Sequence, residues 1–556
     1  MTASTRAWSF LLPSREDYRG LGRSWRADLL AGVTVGIVAL PLALAFGVSS
    51  GVGAEAGLVT AIIAGFVAAV FGGSNVQVSG PTGAMVVVLA PIVAMHGAGA
   101  VTTVALMAGV MVVLAGVLRL GRALSYLPWP VIEGFTAGIG IIIFLQQIPS
   151  ALGVGIGGHS TNALVAGWQV LGEASWPQAL LPLGAVILVA AIMLALSRWL
   201  PALPGSFIAI LVVSLLCGLL RLPLETIGEL PGSLPAPALP SLEPSLLAAL
   251  AAPAAAVAAL AAIESLLSAR VAASLSNTGS LNADRELFGQ GLASIAAGFF
   301  GGMPATGAIA RTAVNVRSGA RTRLAAIVHA ALLLVIVLAA AGIVSQIPLA
   351  ALAGVLMVTA ARMVSISTFR RVARSGRSSA AVFIVTALVT VIFDLVVAVG
   401  IGIAVAAFFA LRTLSRASGA HREPLPGPAA PGDERIALFR IEGSLFFGAA
   451  EPLLDEIAAE GEAGGAKRSA VDVVILRLSK LQIIDATGAN ALGELVVALE
   501  RRGVTVLIKG VRPEHRTLLE GLGVIAALRH PNHLFAELDP AIEHARDHVR
   551  RSAETR

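Results

Sequence analysis

The 556-residue chain is poor in charged residues and nearly lacks cysteine. Only 13% of its residues are charged, about half of the share found in soluble domains, and this deficit excludes a disordered chain and an ordinary water-soluble enzyme. The single cysteine, Cys217, excludes an internal disulfide and a cluster of thiolate metal ligands. The chain has instead a hydrophobic content of 56% and a mean hydropathy of +0.85, which are typical of a multi-span membrane protein.

The positive charges are distributed as in a membrane protein. The formal net charge is +6, but the arginines before residue 415 fall in short clusters between apolar runs. If the N-terminus is cytosolic, these clusters face the cytosol, and Arg221 remains on the other side among acidic residues. We therefore predict a multi-pass protein of the inner (plasma) membrane with both termini in the cytosol and no nucleic-acid partner.

Fourteen apolar segments can be placed before residue 416. They cover residues 28–49, 55–72, 81–95, 100–118, 128–148, 178–197, 205–220, 247–272, 284–301, 307–317, 323–345, 348–362, 379–396 and 397–415. A cytosolic arm, 1–27, precedes them. A linker rich in proline and glycine, 416–432, leads to a segment of ordinary soluble composition, 433–556. We therefore predict an α-helical transmembrane domain, 28–415, followed by a small cytosolic domain.

Two of the segments, 81–95 and 307–317, are too short to cross ~30 Å of hydrocarbon as helices, since a crossing takes about 20 residues. Each follows a stretch that cannot be ordinary helix, 75–80 and 301–305. Extended backbone at membrane depth is tolerated only where protein or a water-filled cavity satisfies its polar groups. The two segments therefore predict half-helices that begin near the middle of the membrane.

The two short segments share a sequence pattern. Thr82–Met85 (TGAM) opens the first and Thr306–Ile309 (TGAI) opens the second, and each is the third span of a seven-span half, 28–220 or 247–415. Because seven is odd, the two halves have opposite orientations. The tetrapeptide could recur by chance in a chain rich in alanine and glycine. Paired, interrupted segments at matching positions nevertheless indicate an inverted-repeat transporter and the location of its binding site.

The half-helices predict an anion site. Each N-terminus presents free backbone N–H groups and the equivalent of about half a positive charge. Gly83 and Gly307 let a ligand come close to the backbone. Arg311 lies one turn beyond Gly307, and an arginine at this depth indicates function because it is costly in lipid. The alternative is a side chain that extends to the cytosolic face beside Arg317.

Glu264 lies in the middle of the eighth span, with apolar residues on both sides. A buried carboxylate is expected to be protonated, paired or bound to a cation. We expect Arg311 to be its partner, either in a pair that couples protons to the anion or in a purely structural bridge. Ser268 lies four residues on and shares the helical face. Leu42 and Phe46, one turn apart, are candidates for the wall of the site or for simple packing.

Three stretches carry a resemblance to a known family: Asp28–Phe46 (DLLAGVTVGIVALPLALAF), Val78–Met85 (VSGPTGAM) and Gly307–Asn315 (GAIARTAVN). They are similar to the SulP, or sulfate permease, family of anion transporters, which are relatives of pendrin and prestin. The resemblance runs from about residue 26 to the C-terminus. It implies fourteen spans in two inverted seven-span repeats, as in uracil permeases. Spans 1–4 and 8–11 would form a moving core, and spans 5–7 and 12–14 a gate.

By position, the resemblance implies an anion pocket in the first, third and tenth spans. Its residues would be Leu42, Phe46, Thr82, Gly83, Ala308, Ala310 and Arg311. The half-helix N-termini add Ala84 and Gly307 to the predicted site. In the sodium-dependent bicarbonate branch of the family, residues matching Glu264, Ser268 and Thr82 help to hold sodium. This chain has Ile309 where that branch has a threonine and Arg311 where it has a glycine, which favours a co-transported proton, or plain exchange, over sodium.

The C-terminal segment predicts a small α/β domain. Strands are expected at 436–442, 471–477 and 504–509, and helices at 450–460, 489–501 and 514–522. The segment resembles the STAS domain, which also forms anti-sigma-factor antagonists. Thr487 occupies the position of the phosphorylated serine of the antagonists, a weak indication of regulation; a helix N-cap is the simpler role for this threonine. We recognise no nucleotide motif and no metal-ligand spacing among the histidines, and expect no cofactor and no metal.

We therefore predict a secondary active transporter of a small anion, not an enzyme. It would act as a homodimer, with an elevator-like movement of the core against the gate. A dicarboxylate such as fumarate, taken up with protons, suits one arginine, two positive helix ends and a buried carboxylate. The alternatives are a sodium-dependent bicarbonate or sulfate transporter, an anion exchanger, a passive anion channel, and a sensor whose C-terminal domain reports occupancy.

Overall fold

The computed structural model describes residues 11–122, 128–154, 162–201, 203–279, 281–393, 395–416, 419–446 and 471–554. The chain divides into two compact units, Met1–Ala404 and Val405–Arg556. The first unit is helical, and the second is built on a five-stranded sheet.

The helices follow one another along the chain, with a long connection at residues 221–243, and the last of them crosses the boundary between the two units. Those of the first half are α1 (Leu21–Ser49), α2 (Ala54–Phe71), α3 (Gly83–His96), α4 (Ala100–Val117), α5 (Trp129–Gln146), α6 (Ile148–Leu152), α7 (Ala163–Glu173), α8 (Trp176–Trp199) and α9 (Gly205–Leu220). Those of the second half are α10 (Pro244–Leu275), α11 (Ala283–Phe299), α12 (Ile309–Arg317), α13 (Leu324–Val344), α14 (Leu349–Met363), α15 (Ile366–Ser375), α16 (Arg377–Ile392) and α17 (Leu395–Arg416).

Each of the fourteen apolar segments contains a helix whose ends lie within a few residues of the predicted ones. Within the described ranges, nine helical stretches are long and apolar enough to cross a membrane, and α3, α9 and α16 are shorter apolar helices. The number of fourteen crossings stays a prediction. Three further helices, α6, α7 and α15, were not predicted; α15 is polar and rich in arginine.

Close helix crossings in the first unit depend on small residues. Helix α11 packs against α4 and α2, and α13 packs against α1. A Cβ at Gly109 of α4 would lie 2.8 Å from the carbonyl oxygen of Gly291 in α11, so the two backbones touch only because neither residue has a side chain. A second group of helices, α5, α8, α14 and α16, packs mainly within itself.

The second unit contains one sheet with helices beside it. Its strand order is β3 (Gly419–Glu423), β4 (Ile436–Leu445), β5 (Val473–Ile484), β6 (Thr505–Lys509) and β7 (Leu534–Phe535). Strand β3 is antiparallel to β4, and the other neighbours are parallel. The helices of this unit are α18 (Ala486–Arg501), α19 (Pro513–Gly521) and α20 (Leu538–Glu554).

The sequence predicted most, but not all, of this second unit. The three expected strands and two of the expected helices are present, whereas the helix expected at 450–460 lies outside the described residues. Strand β3 lies within the predicted linker, 416–432, and β7 and α20 were not predicted. These elements were missed because β3 and β7 are short and α20 is polar over most of its surface.

Two residue assignments in this unit were wrong. The N-cap of α18 is Asp485, whose carboxylate accepts from the Gly488 N–H at 2.7 Å, and Thr487 is an exposed residue inside the helix. The expectation that the histidines show no metal-ligand arrangement was wrong as well. The fold brings one nitrogen each of His533, His544 and His548 within 4.8 Å of the others.

Candidate functional site

The two interrupted segments of the membrane unit meet in a short antiparallel ladder. Strand β1 (Ser79–Gly80) pairs with β2 (Thr306–Gly307), so that Ser79 faces Gly307 and Gly80 faces Thr306. Helices α3 and α12 begin two or three residues after their strands. Antiparallel pairing of equivalent segments is the geometry that oppositely oriented halves produce. The structure therefore agrees with the predicted pair of half-helices. Each half-helix follows an extended segment, and the two extended segments pair with each other.

A buried carboxylate fixes the extended segment before α3. Glu286 of α11 accepts from the N–H groups of Gly73 and Ser74 at 2.8 and 3.1 Å and from the amide of Gln77 at 2.9 Å. Buried backbone N–H groups need a hydrogen-bond partner, and the Glu286 carboxylate supplies it. Glu286 was not predicted as a site residue, although its place near the start of an apolar span was a usable signal.

Glu264 of α10 lies at the crossing of the two segments. Its Oε2 accepts from the hydroxyl of Thr82 at 2.8 Å and from that of Thr306 at 2.7 Å. No ion pair within 4.0 Å joins Glu264 to Arg311 among the described residues, so the expected direct bridge is not formed, although the two charges still act on each other at longer distance. The carboxylate instead joins the two threonines that precede the two half-helices.

Arg311 stays inside the protein and does not extend to the cytosolic face. Its side chain is buried at 2% exposure. Nη2 donates to the carbonyl oxygen of Pro81, and Nη1 lies over Gly80, where an added Cβ would be 2.8 Å away. Nη1 is buried and has no hydrogen-bond partner among the residues that the structure describes. A cation with an unpaired buried donor therefore lies directly beside the ladder.

Neither half-helix is capped by its own N-cap side chain. Thr82 precedes α3 and Ala308 precedes α12, and neither side chain bonds to the first turn. A threonine at this position ordinarily accepts from a first-turn N–H, but the Thr82 hydroxyl is directed to Glu264. The N-termini thus keep N–H groups that can bind an anion.

Hydroxyl groups hold the second segment in place. The Gly307 N–H donates to Ser265 Oγ at 3.0 Å, and the Val78 N–H donates to Thr312 Oγ1 at 3.0 Å. Ser268, predicted to assist Glu264, has its hydroxyl 3.0 Å from that of Thr312. Ser265 and Thr312 were not predicted; each lies one turn or less from a predicted residue, which was the available signal.

The structure brings most of the other predicted pocket residues together. Leu42, Phe46 and Ala84 are buried, and a Cβ at Gly83 would lie 3.3 Å from the ring of Phe46. Ala308 is buried as well, whereas Ala310 is exposed. Gly307 is tightly enclosed, since an added Cβ would be 1.9 Å from Gln77 Nε2.

An apolar crevice lies beside the outer part of α3. Among the residues that line it are Val88 and Pro91 of α3, Ile142 of α5, Pro253 of α10 and Thr390 of α16. The crevice therefore lies between α3 and α10 on one side and α5 and α16 on the other.

Paired half-helices that meet in the middle of a helical membrane unit define the class of secondary membrane transporters. The sulfate permease family matches residues 25–386, and the STAS domain matches residues 427–541. The chain belongs to the sulfate permease family. It is accordingly a multi-pass membrane transporter of the kind that acts on small anions, and not an enzyme.

Known proteins agree with this assignment. The chain is 34% identical to YvdB of Bacillus subtilis over 90% of this chain and 94% of that protein. It is 32% identical to the bicarbonate transporter BicA of Picosynechococcus over 90% of this chain and 91% of that protein. The murine Solute Carrier 26 family member A9 anion transporter matches with a TM-score of 0.81 over 98% of this chain and 96% of that one. Its sequence identity of 17% makes this a likeness of fold alone.

Proposed function

We propose that this protein is a secondary active transporter that takes up a small anion at the ladder of β1 and β2. The observation that carries the proposal is the buried Arg311 Nη1, which has no partner and lies beside two uncapped half-helix N-termini. A buried, unpaired donor on a charged group costs more free energy than a neutral one. An anion at this position supplies the acceptor that the donor lacks.

The substrate that suits these groups best is a dicarboxylate such as fumarate. Two helix N-termini and one guanidinium offer positive charge at more than one point, which two carboxylates can use together. Glu264 would carry the coupled proton, since it accepts hydrogen bonds from the threonines that precede both half-helices. The protonation state of Glu264 would thereby affect both N-termini.

Bicarbonate or sulfate uptake with sodium is the second candidate. The oxygens of Glu264, Thr82 and Thr306 lie between 2.7 and 3.1 Å from one another, and oxygen donors are the ligands that hard cations prefer. The relative BicA is named a bicarbonate transporter. Arg311 beside the same crossing disfavours a bound cation by charge repulsion.

For the transport cycle we propose an elevator-like movement of a core, spans 1–4 and 8–11, against a gate, spans 5–7 and 12–14. The packing of α1, α2, α4, α11 and α13 among themselves supports this division, as does the separate group of α5, α8, α14 and α16. The apolar crevice between the groups supports a sliding interface. The proposal includes a homodimer in the inner membrane with cytosolic termini; light scattering of the detergent-solubilised protein tests the dimer.

Uptake into proteoliposomes tests the function. Radiolabelled fumarate, sulfate and bicarbonate are supplied at two pH values, with and without sodium. Fumarate accumulation that increases with an inward proton gradient and ignores sodium is the expected result. Sodium-dependent bicarbonate or sulfate uptake would replace the first candidate by the second. Anion current in planar bilayers, together with no gradient-driven accumulation in proteoliposomes, would contradict both transporter candidates and indicate a channel.

A further inference from the structure

Three histidines of the C-terminal unit converge on one point, far along the chain from the membrane helices. His544 and His548 are one turn apart on the same face of α20, and His533 ends a short 3₁₀ helix, Pro531–His533, just before β7. The ring centroid of His533 lies 5.4 Å from that of His544 and 5.4 Å from that of His548. The centroids of His544 and His548 are 4.9 Å apart. One nitrogen of each ring lies within 4.8 Å of those of the other two.

Two imidazole nitrogens of this cluster are buried and unsatisfied within the described part of the chain. His533 is 3% exposed, and its Nδ1, like Nε2 of His544, is buried with no hydrogen-bond partner among the residues that the structure describes. Buried polar atoms are nearly always satisfied, so two orphaned imidazole nitrogens in one place point to a missing ligand.

Three imidazoles are a donor set for Zn²⁺ or a similar borderline metal ion. With zinc–nitrogen bonds of about 2.0–2.1 Å, a tetrahedral site needs ligand nitrogens about 3.3–3.4 Å apart. Small ring rotations on α20 would close the present separation. Because His544 and His548 are only half-buried, water can reach the fourth coordination position.

The surrounding charges do not oppose a cation strongly. Arg529 is the basic residue of the preceding loop, and its guanidinium forms an ion pair with Glu500 at 3.0 Å. Asp547, between the two helical histidines, pairs with Arg550. Arg551, three residues beyond His548, adds a positive charge near that ring, so the charges around the histidine cluster are balanced in part.

We propose that His533, His544 and His548 form a zinc site that ties α20 to the edge of the sheet at β7. An adjacent face of α20 already packs on the sheet through Ala541, Ile542, Ala545 and Val549. Metal would join a second face of the helix to the segment before β7. Metal that binds the folded but not the unfolded C-terminal unit stabilises it by an amount that grows with the logarithm of the free metal concentration above the Kd, and this inference does not depend on the nature of the transported anion.

Metal content and cobalt spectroscopy test the site. The full-length chain is purified in detergent without a histidine tag, stripped with EDTA and titrated with Zn²⁺ or Co²⁺. We expect one zinc per chain and the intense visible bands of tetrahedral Co²⁺. The double variant His544→Gln/His548→Gln should bind zinc at least about 100-fold more weakly, because two of three protein ligands are lost. His421→Gln, at an exposed histidine of β3, is the matched control and should bind as the unaltered chain does.

Thermal unfolding gives a second readout. Zinc should raise the unfolding midpoint of the C-terminal unit in the unaltered chain and the His421→Gln control, but not in the double variant. An unaltered chain that takes up no more zinc than the double variant, or gives no tetrahedral Co²⁺ spectrum, would overturn the proposal. The Co²⁺ spectrum is measured on the unaltered chain, so this criterion holds even if the double variant folds poorly.

Discussion

Thr82 donates its hydroxyl hydrogen to Glu264 across 2.8 Å, and this bond joins the N-terminus of α3 to the middle of α10. The same hydroxyl would otherwise cap the first turn of α3. In the proposed transport site, the charge state of Glu264 and an anion at the half-helix N-terminus would therefore act on one group. This shared threonine would be a short physical route by which a proton and an anion influence each other's binding.

Replacing Arg311 tests the anion site directly. In Arg311→Ala the charged donor beside the ladder is lost, and we expect uptake to fall by about 10- to 100-fold, the effect of one hydrogen bond from a charged group. Arg317→Ala is the matched control, since this arginine lies on the same helix but is exposed. Proteoliposome uptake measures both. Equal uptake by Arg311→Ala and the control would remove Arg311 from the site.

Replacing Glu264 tests the coupling. Glu264→Gln keeps an oxygen that can accept from Thr82 or Thr306 but can no longer gain or lose a proton. We expect uptake by the unaltered protein to rise as the external pH falls, and uptake by the variant to be independent of pH. Glu133→Gln, in α5, serves as control and should keep the pH dependence. A variant that keeps the full pH response would exclude Glu264 as the proton carrier.

Replacing Gly307 tests the ladder. A methyl group at this position would meet Gln77 Nε2 at 1.9 Å, and Gln77 is itself held by Glu286. We therefore expect Gly307→Ala to destabilise the membrane unit by about 1–3 kcal/mol, as overpacking does, and to reduce uptake. In Gly342→Ala the added Cβ meets nothing within 4 Å, so its unfolding temperature should not fall. Equal unfolding temperatures for the two variants would show that the ladder tolerates the extra atom.

The interrupted segments were predictable because their signals are local. Segments 81–95 and 307–317 are short, and each opens on Thr-Gly-Ala after residues unsuited to a helix. The partner of Glu264 was not predictable in the same way. The register of the ladder decides which side chain reaches the carboxylate, whether that of Arg311, Thr82 or Thr306. The register is set by tertiary packing and not by local sequence.

The histidine cluster shows the same division between local and tertiary information. His544 and His548 lie four residues apart, which is a usual spacing for two metal ligands on one helix, and the prediction that the histidines have no metal-ligand spacing overlooked this pair. His533 joins them only because β7 places the preceding turn beside α20. A pair of histidines without a third ligand gave no reason to expect a metal.

The described part of the N-terminal arm is tied to the membrane unit through the carboxylate of Asp17, which pairs with two buried arginines. Asp17 lies 2.8 Å from the Arg285 guanidinium and 3.6 Å from that of Arg323, with 12% of its side chain exposed. Burial by itself raises the pKa of Asp17, but the bonds from Arg285 and the Ser14 backbone, together with the arginine charges, lower it below its ordinary value. The carboxylate therefore stabilises the folded arm at neutral pH, and this contribution is lost as the pH falls through the lowered pKa.

Asp17→Asn should release the arm at neutral pH, because it leaves two buried guanidinium groups without their counter-charge. We expect faster hydrogen exchange of backbone amides between residues 14 and 23 and faster tryptic cleavage after Arg19. Glu229→Gln, at an exposed acidic residue of the same unit, is the control and should exchange like the unaltered protein. If Asp17→Asn exchanges no faster than this control, the ion pair does not hold the arm, and other contacts, such as the buried Leu11, must do so.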